Sequence, residues 1–392
     1  MKICFFLHRN FARFGHSIVT NLKENYGLRN VSAYTQLRLA KEILENQNDI
    51  KYEPLLFDED IHKKYKSEPL DIEFLKKLEN DYGLPNLWPY ITIDRTLMYS
   101  ILPREYPSDK PMYTHEEMLK ILQVKAKAII KFLEETRPDY VFLSFIGSTS
   151  SMLFYHIAKK MGIKTILIYL PGIKNLLSIT EDYNRLTFSE KIFERIRCED
   201  YKSPRADEAR KIINEFREKP ITYHEMNKTQ KNIVHRLKQT KFILPKNLWK
   251  NFIFLSQMLF KKRDYSEERL DWFLIDRIKR KIRSIIGYND LFENPKDNED
   301  FCFFPLNAEP EITLYLYAPF HLNQLETARQ IARSLPVGFK LYVKDHPIMY
   351  GYRTGRFYKE LKKIPNVRVI NSQISGYDLI KGAKLVATIS GT

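Results

Sequence analysis

RPDYVFLSFIGSTSSMLFYHIAKKMGIKTILIYL, Arg137–Leu170, decides the fold. Tyr140–Phe145 is a short apolar run entered by a turn, Arg137-Pro138-Asp139. Gly147-Ser148-Thr149-Ser150-Ser151 is a small polar loop. Met152–Met161 has helical spacing and stops at Gly162, a residue that readily takes the left-handed conformation closing a helix. Thr165–Leu170 is a second apolar run. Strand, loop, helix and strand, with strands apolar on both faces, is the pattern of a parallel sheet covered on both sides. The polar loop then lies at the carboxyl end of a strand, where open α/β sheets place their ligands.

The alternation extends in both directions. Upstream, Lys2–His8 reads as a strand, Asn30–Asn46 as a helix, Tyr52–Phe57 as a strand, Asp71–Glu79 as a helix and Glu116–Glu135 as a long amphipathic helix. Tyr82–Pro111, rich in proline and aromatics, reads as irregular. Downstream, strands are expected at Phe301–Leu306, Phe339–Lys344, Asn366–Asn371 and Lys384–Ser390. Helices at Leu325–Leu335, Arg356–Lys363 and Tyr377–Lys381 separate them. Between the two series, 224–286 carries sixteen basic and six acidic residues with many aromatics, and reads as a helical linker. The chain therefore divides into an α/β domain over 1–220, a basic helical segment over 221–298 and a second α/β domain over 299–392. The final Ser-Gly-Thr has the form of a strand-to-helix junction, so the second domain is expected either to lack its last elements or to be a short form whose sheet edge the helical segment covers.

Composition narrows the class. The 392 residues are 44% hydrophobic and 29% charged, as in a soluble globular protein. The formal net charge of +16 calls for an anionic partner. No RRM, KH, zinc-finger or helix-turn-helix pattern is present, so nucleic acid is not the expected one. The N-terminus has no secretory pattern, and the apolar run Asn251–Phe260 is too short to span a bilayer, which suggests a cytoplasmic protein. Cys4 and Cys302 fall in apolar strands and read as buried reduced thiols, and no Cys/His spacing suggests a metal.

The chemistry concentrates at YVKDHPIMYGYR, Tyr342–Arg353. Lys344-Asp345-His346-Pro347 follows directly on a strand. Proline restricts the residue before it, which makes the corner rigid. Lys344 supplies a point charge, His346 a switchable donor and acceptor, and Arg353 a planar fork suited to phosphate. The neighbouring strand ends offer Glu309 and Glu311 on one side and Thr388-Ile389-Ser390-Gly391-Thr392 on the other. Acids, a Lys/His/Arg cluster and hydroxyls together suit a phosphorylated sugar donor. Asp58-Glu59-Asp60 reads as a solvated acidic loop rather than a metal-binding motif.

In order, PLNAEPE, Gln324, LPVGFKLYVKDHP, GYR, NVRVI and ATISGT resemble the capsule polysaccharide biosynthesis family of bacterial glycosyltransferases, relatives of the Kdo transferases of capsule synthesis. The resemblance covers Phe301–Thr392 well and the first 220 residues only in general pattern. It implies a GT-B architecture, two Rossmann-like domains with a cleft between them, and metal-independent transfer from a nucleotide-activated sugar, CMP-linked sugars included. It matches His346 to the donor-contacting histidine and Ser390 and Thr392 to the phosphate-binding hydroxyls. Glu309, Glu311 and Lys344 match charged positions flanking the cleft. A glycan or lipid-linked acceptor is implied, with no cofactor. The family's Gly-x-x-Glu-Ala-type segment, expected after Ser-Gly-Thr, is not in the sequence.

An acceptor hydroxyl needs a base within hydrogen-bond reach. His8 and His16 follow the first strand, and Glu181 and Asp182 follow another; His16 and Asp182 are the candidates. The basic segment reads as a solvated linker or as a face resting on an anionic membrane surface. Two other readings of the whole chain stay open: a polyol-phosphate transferase of teichoic-acid type, and a non-catalytic module binding anions or nucleic acid. A nucleotide-sugar epimerase is a weaker fit.

Overall fold

The computed structural model describes residues 1–82, 86–99, 111–169, 176–198, 201–218, 220, 249, 252–253, 256, 264–265, 270–372 and 374–389. These form two compact units. The first draws on described residues within Met1–Ser100, Lys110–Ser203 and Arg263–Glu267, and the second on those within Pro204–Lys262 and Glu268–Thr392. Most of the expected basic segment, 221–298, lies outside the described residues. Its described parts divide, Asp264 and Tyr265 joining the first unit and 270–298 the second.

The first unit is built on six strands among the described residues: β1 (Lys2–Leu7), β2 (Asn30–Thr35), β3 (Leu55–Phe57), β4 (Tyr140–Leu143), β5 (Lys164–Tyr169) and β6 (Ser178–Thr180). Their order is β3-β2-β1-β4-β5-β6. All pairings are parallel except that of β5 with β6. This is the strand order of a Rossmann-like sheet with an antiparallel edge. The helices are α1 (Phe11–Tyr26), α2 (Arg38–Glu45), α3 (Asp58–His62), α4 (Ile72–Asp81), α5 (Trp88–Thr92), α6 (Arg95–Tyr99), α7 (His115–Thr136), α8 (Thr149–Lys160) and α9 (Thr187–Arg197). A capping box between Thr114 and Glu117 starts α7, and a second between Ser148 and Ser151 starts α8. α1 lies close on β1: a Cβ added at Gly15 would stand 2.6 Å from a Leu7 methyl carbon.

One expectation fails here. Asn30–Asn46 is not one helix but β2 followed by α2. β2 is an inner strand, with five of its six residues buried. Such a strand shows no alternation of polar and apolar residues, so its apolar positions fit a helical period by coincidence. Within the stretch read as irregular, α5 and α6 are formed.

The second unit has four strands among the described residues: β7 (Phe301–Pro305), β8 (Lys340–Lys344), β9 (Val367–Ile370) and β10 (Leu385–Val386). The order is β10-β7-β8-β9, all parallel. Its helices are α10 (Ala206–Glu218), α11 (Leu270–Ile286), α12 (Ile312–Tyr317), α13 (Gln324–Ser334), α14 (Gly355–Lys362) and α15 (Gly376–Gly382). Successive side chains of a strand point to opposite faces. Leu341 and Val343 pack with Cys302, Phe304, Ala328, Tyr358 and Leu361. Tyr342 packs with Phe301, Phe303, Ile370 and Leu379 on the other face. Both faces are therefore covered, as the continuous apolar strands require. Cys4 and Cys302 are buried and free, while Cys198 is exposed. Among the described residues, no helix is long and apolar enough to cross a membrane.

The fold is thus two Rossmann-like α/β units in one chain. In each sheet the strand order reverses beside the first strand, at β1/β4 and at β7/β10. Outside the carboxyl ends of strands at such a reversal is where this class of sheet binds ligands.

Candidate functional site

At the second unit's carboxyl edge, β8 ends in Lys344 and the chain turns through Asp345-His346-Pro347. Asp345 is buried and wholly committed. It accepts from the Tyr358 hydroxyl at 2.5 Å, from the Arg353 guanidinium and from the His346 backbone N–H at 2.7 Å. Pro347–Met349 forms one turn of 3₁₀ helix, and His346 caps it, Nδ1 accepting from the Ile348 N–H at 3.3 Å. An accepting Nδ1 puts the proton of the neutral ring on Nε2. The half-buried ring is thus fixed in tautomer as well as backbone.

Arg353 lies in the interior. Its guanidinium pairs with Asp345 and, at 3.3 Å, with Glu309, donates to the Asn307 carbonyl at 2.8 Å, and stands 4.9 Å over the Phe357 ring. It ties the loop after β7 to the loop after β8. Gln324, at the start of α13, completes the tie. Its side-chain oxygen accepts from the Asn307 N–H at 2.7 Å and its amide donates to Glu309. Glu309 Oε2 is buried and has no partner among the described residues. Burial raises this carboxyl's pKa, and Arg353 opposes the shift. Glu311 sits at the start of α12, half-buried, 3.4 Å from the Asn307 amide nitrogen.

Lys344 differs from its neighbours. It is 9% exposed. Among the described residues, its ammonium has no hydrogen bond and no ion pair. Burial lowers its pKa, opposed by Asp345, whose oxygens are already taken. A largely buried lysine whose nearest carboxylate is already shared is costly to keep charged. Such a group at a strand's carboxyl end is suited to an anion arriving from outside the chain. Ser390 and Thr392 lie outside the described residues.

The first unit's carboxyl edge is more crowded. Asp58, just after β3, is fully buried. Its carboxylate accepts from Tyr34 and Ser150 at 2.5 Å each, from Tyr265 at 2.8 Å and from Lys125 at 2.9 and 3.0 Å. Lys125 also reaches Ser150 at 2.8 Å and Tyr265 at 2.9 Å. Glu59 is 4% exposed and accepts from the Tyr265 N–H at 2.8 Å. The expected solvated acidic loop is thus mostly interior, and only Asp60 is exposed. Burial raises the Asp58 pKa, but Lys125, Ser150 and Tyr34 outweigh it and hold it below the ordinary value. The Ser/Thr loop is likewise used by the fold. The Thr149 N–H donates to Asp94, and the Gly147 and Ser148 N–H groups donate to Ser151.

Neither proposed base lies at this edge. His16 bonds Tyr52 at 3.0 Å and faces Asp49 at 3.3 Å, both on the loop entering β3. Asp182 follows β6, which runs antiparallel to β5, so it emerges at the sheet's amino edge. There it pairs with Lys159 at 2.9 Å and accepts from Tyr155 at 3.1 Å. His8 does lie at the carboxyl edge, immediately after β1, its ring 4.5 Å from that of Phe145. Burial, reinforced by Arg9, lowers its pKa to about 3. Arg9 takes φ +48°, a rare conformation for a side-chain-bearing residue and one found disproportionately at functional strand ends. Beside them the Ser144 hydroxyl is buried with no partner among the described residues.

No family model and no curated protein matches this chain. Solved structures do. UDP-GlcNAc 2-epimerase from Neisseria meningitidis, bound to UDP-GlcNAc, is 13% identical, with a TM-score of 0.25 over 100% of this chain and 78% of that one. The Methanocaldococcus jannaschii UDP-GlcNAc 2-epimerase is 12% identical, with a TM-score of 0.25 over 99% of this chain and 78% of that one. A trehalose-6-phosphate synthase studied for glycosyl transfer with retention is 11% identical, with a TM-score of 0.25 over 98% and 77%. All three are sugar-nucleotide or sugar-transfer enzymes. Likeness at this level assigns no ligand or reaction to the present chain.

Proposed function

We propose that this chain is a glycosyltransferase of surface polysaccharide synthesis, and that the carboxyl edge of its second unit holds the phosphate of a nucleotide-activated sugar. The largely buried Lys344 side chain, whose ammonium has no hydrogen bond or ion pair among the described residues, lies beside the fixed imidazole of His346 and carries this reading. In transfer, an acceptor hydroxyl bonds to the anomeric carbon as the bond from that carbon to the phosphate oxygen breaks. The electron pair leaves on the phosphate, and the hydroxyl proton passes to a base. Lys344 and His346 offset the charge that develops on the leaving group, the kind of preorganised stabilisation that dominates phosphate departure. Arg353, held between Asp345 and Glu309, positions the corner. The acceptor is a glycan or lipid-linked glycan in this reading. CMP-linked sugars lead the donor candidates on the family resemblance.

Thermal unfolding with CMP, CDP, UDP, GDP and a dinucleotide tests the assignment on wild type, Lys344→Met and His346→Ala. A nucleotide at 100 times its dissociation constant stabilises by about 2.7 kcal/mol, a readily measured shift. One nucleotide should stabilise wild type, and both variants should lose most of that gain. Hydrolysis of the matching sugar donor then separates a transferase from a binding protein. If every nucleotide leaves the wild-type transition unmoved, or Lys344→Met responds as wild type does, the assignment is wrong.

A further inference from the structure

The turn that joins β1 to α1 lies at the carboxyl edge of the first unit's sheet, beside the β1/β4 reversal. It is short, with only His8, Arg9 and Asn10 between Leu7 and Phe11. Arg9 takes φ +48°, and Asn10 takes φ −67° and ψ −13°. Alternating left- and right-handed residues turn successive backbone N–H groups towards one concavity, an arrangement that receives anions. The N–H groups of Phe11, Ala12 and Arg13 bond back to the carbonyls of His8, Arg9 and Asn10. Those of Arg9 and Asn10 make no hydrogen bond among the described residues. The Arg9 and Arg13 side chains are exposed, and among the described residues neither guanidinium has a hydrogen bond or an ion pair. Helix α1 has no side-chain cap at Asn10 and no acidic residue in its first turn, so nothing there offsets the positive end of its dipole.

A second, independent observation comes from β4. Ser144 continues that strand, its N–H donating to the Phe6 carbonyl at 3.1 Å. Phe145, the next residue, meets Phe6 and His8 on one face of the sheet. Successive side chains alternate between faces, so Ser144 falls on the other, the face of Leu7 and Phe142 over which α1 lies. Ser144 is 4% exposed, and its hydroxyl has no hydrogen-bond partner among the described residues. An interior hydroxyl with nothing to bond costs free energy, and this one lies at the strand's end on the side of the α1 head. The buried carboxylate at the same edge, Asp58, is already matched by Lys125. We propose that the head of α1 binds an oxyanion, the carboxylate or phosphate of an organic ligand. The Arg9 and Arg13 guanidinium groups, the N–H groups of Arg9 and Asn10, and the Ser144 hydroxyl receive it. In the glycosyltransferase reading this ligand is the acceptor, which makes the acceptor an acidic or phosphorylated glycan. Only the ligand's role as acceptor rests on that reading; the site itself stands on the first unit alone.

Backbone amide resonances of the full chain test the site during titration with inorganic phosphate, glycerol phosphate and glucuronate. Those of Arg9 and Asn10 should move and saturate with at least one of the three. A preference for the phosphates points to a phosphorylated ligand and a preference for glucuronate to an acidic glycan; either supports the site. Arg9→Asn keeps a residue type that tolerates the left-handed conformation. It and Arg13→Gln should each weaken binding about tenfold, the loss expected of one charge-assisted hydrogen bond. Ser144→Ala should weaken it about threefold to tenfold. Its melting temperature should stay at or above the wild-type value, because the hydroxyl it removes bonds nothing in the fold; a purely structural hydroxyl would lower that temperature and leave anion binding as it was. Lys344→Met should give wild-type shifts at the Arg9 and Asn10 amides, and Arg13→Gln should keep any nucleotide-induced stabilisation, so each assignment can fail without the other. Arg9 and Asn10 resonances that stay still with all three anions overturn the proposal. So does binding by Arg13→Gln and Ser144→Ala at wild-type strength.

Discussion

Two buried lysines stand at the carboxyl edges of the two sheets, in opposite circumstances. Lys125 of the first unit is enclosed by Asp58, Ser150 and Tyr265, every contact within 3.0 Å. Lys344 of the second unit is buried nearly as well, and the neighbouring carboxylate, Asp345, is taken up by Arg353 and Tyr358. A closed cluster has spent its hydrogen bonds on the fold and has little left for a ligand. A cation left open keeps its electrostatic free energy for an anion that arrives later. The same residue type, on a helix in one unit and at a strand end in the other, thus serves structure in the first and, in the proposed reading, binding in the second.

This contrast can be broken by substitution, and the largest effect is expected at Arg353. Arg353→Met strands two buried carboxylates, Asp345 and Glu309, and should cost the upper end of about 3–5 kcal/mol in urea unfolding. Loss of less than about 1 kcal/mol would mean that the corner is not held by this pair of charges. Lys125→Met strands one carboxylate, which keeps its hydroxyl donors, so the loss should fall lower in that same range of about 3–5 kcal/mol. The pH dependence sharpens this case. Asp58 has a depressed folded-state pKa, so its contribution is present above the ordinary carboxylate range and is lost as pH falls through the folded value. Lys125→Met should show a shallower loss of stability in acid than wild type.

Lys344→Met should behave in the opposite sense, leaving stability unchanged or slightly higher, because it removes a largely buried charge with no ion pair among the described residues. The folded-state pKa of Lys344 is lowered, so wild type should gain stability as pH rises towards the ordinary lysine value, and the variant should lack that gain. Urea midpoints at neutral and alkaline pH measure both. A marked loss of stability at neutral pH would show Lys344 to be as closed as Lys125. The smallest effect is expected at Asp182→Asn, which breaks a partly exposed pair with Lys159. It should change stability by under about 1 kcal/mol and leave nucleotide-induced shifts as they were.

Several of these features are legible in the sequence. Strand ends and helix caps depend on neighbours a few residues away, so Gly162 closing α8 and Lys344 closing β8 can be read directly. The polarity of the Asp-His-Pro corner can be read too. The uses made of it cannot. Arg353 has the form of a phosphate fork, but Glu309, forty-four positions earlier, and Asp345 neutralise it. Asp58 has the form of a surface residue, because the side chains that bury it come from helix α7, helix α8 and residue 265. His8 and His16 both follow the first strand, yet only His8 emerges at the carboxyl edge. The one signal that separates them is the place of His8 directly after the strand.

Local pattern is enough to make this an alternating α/β chain with two parallel-sheet units and a charged corner at the end of a strand. Side-chain period and turn chemistry are local properties, and local properties are written in order along the chain. Tertiary contacts alone make 30–35 an inner strand, turn β6 backwards so that it carries Asp182 to the amino edge, and choose which buried charges are paired. Those outcomes depend on which segments meet across tens to hundreds of residues. That is set by strand order and by the free energy of burying charges together, neither of which a local pattern encodes.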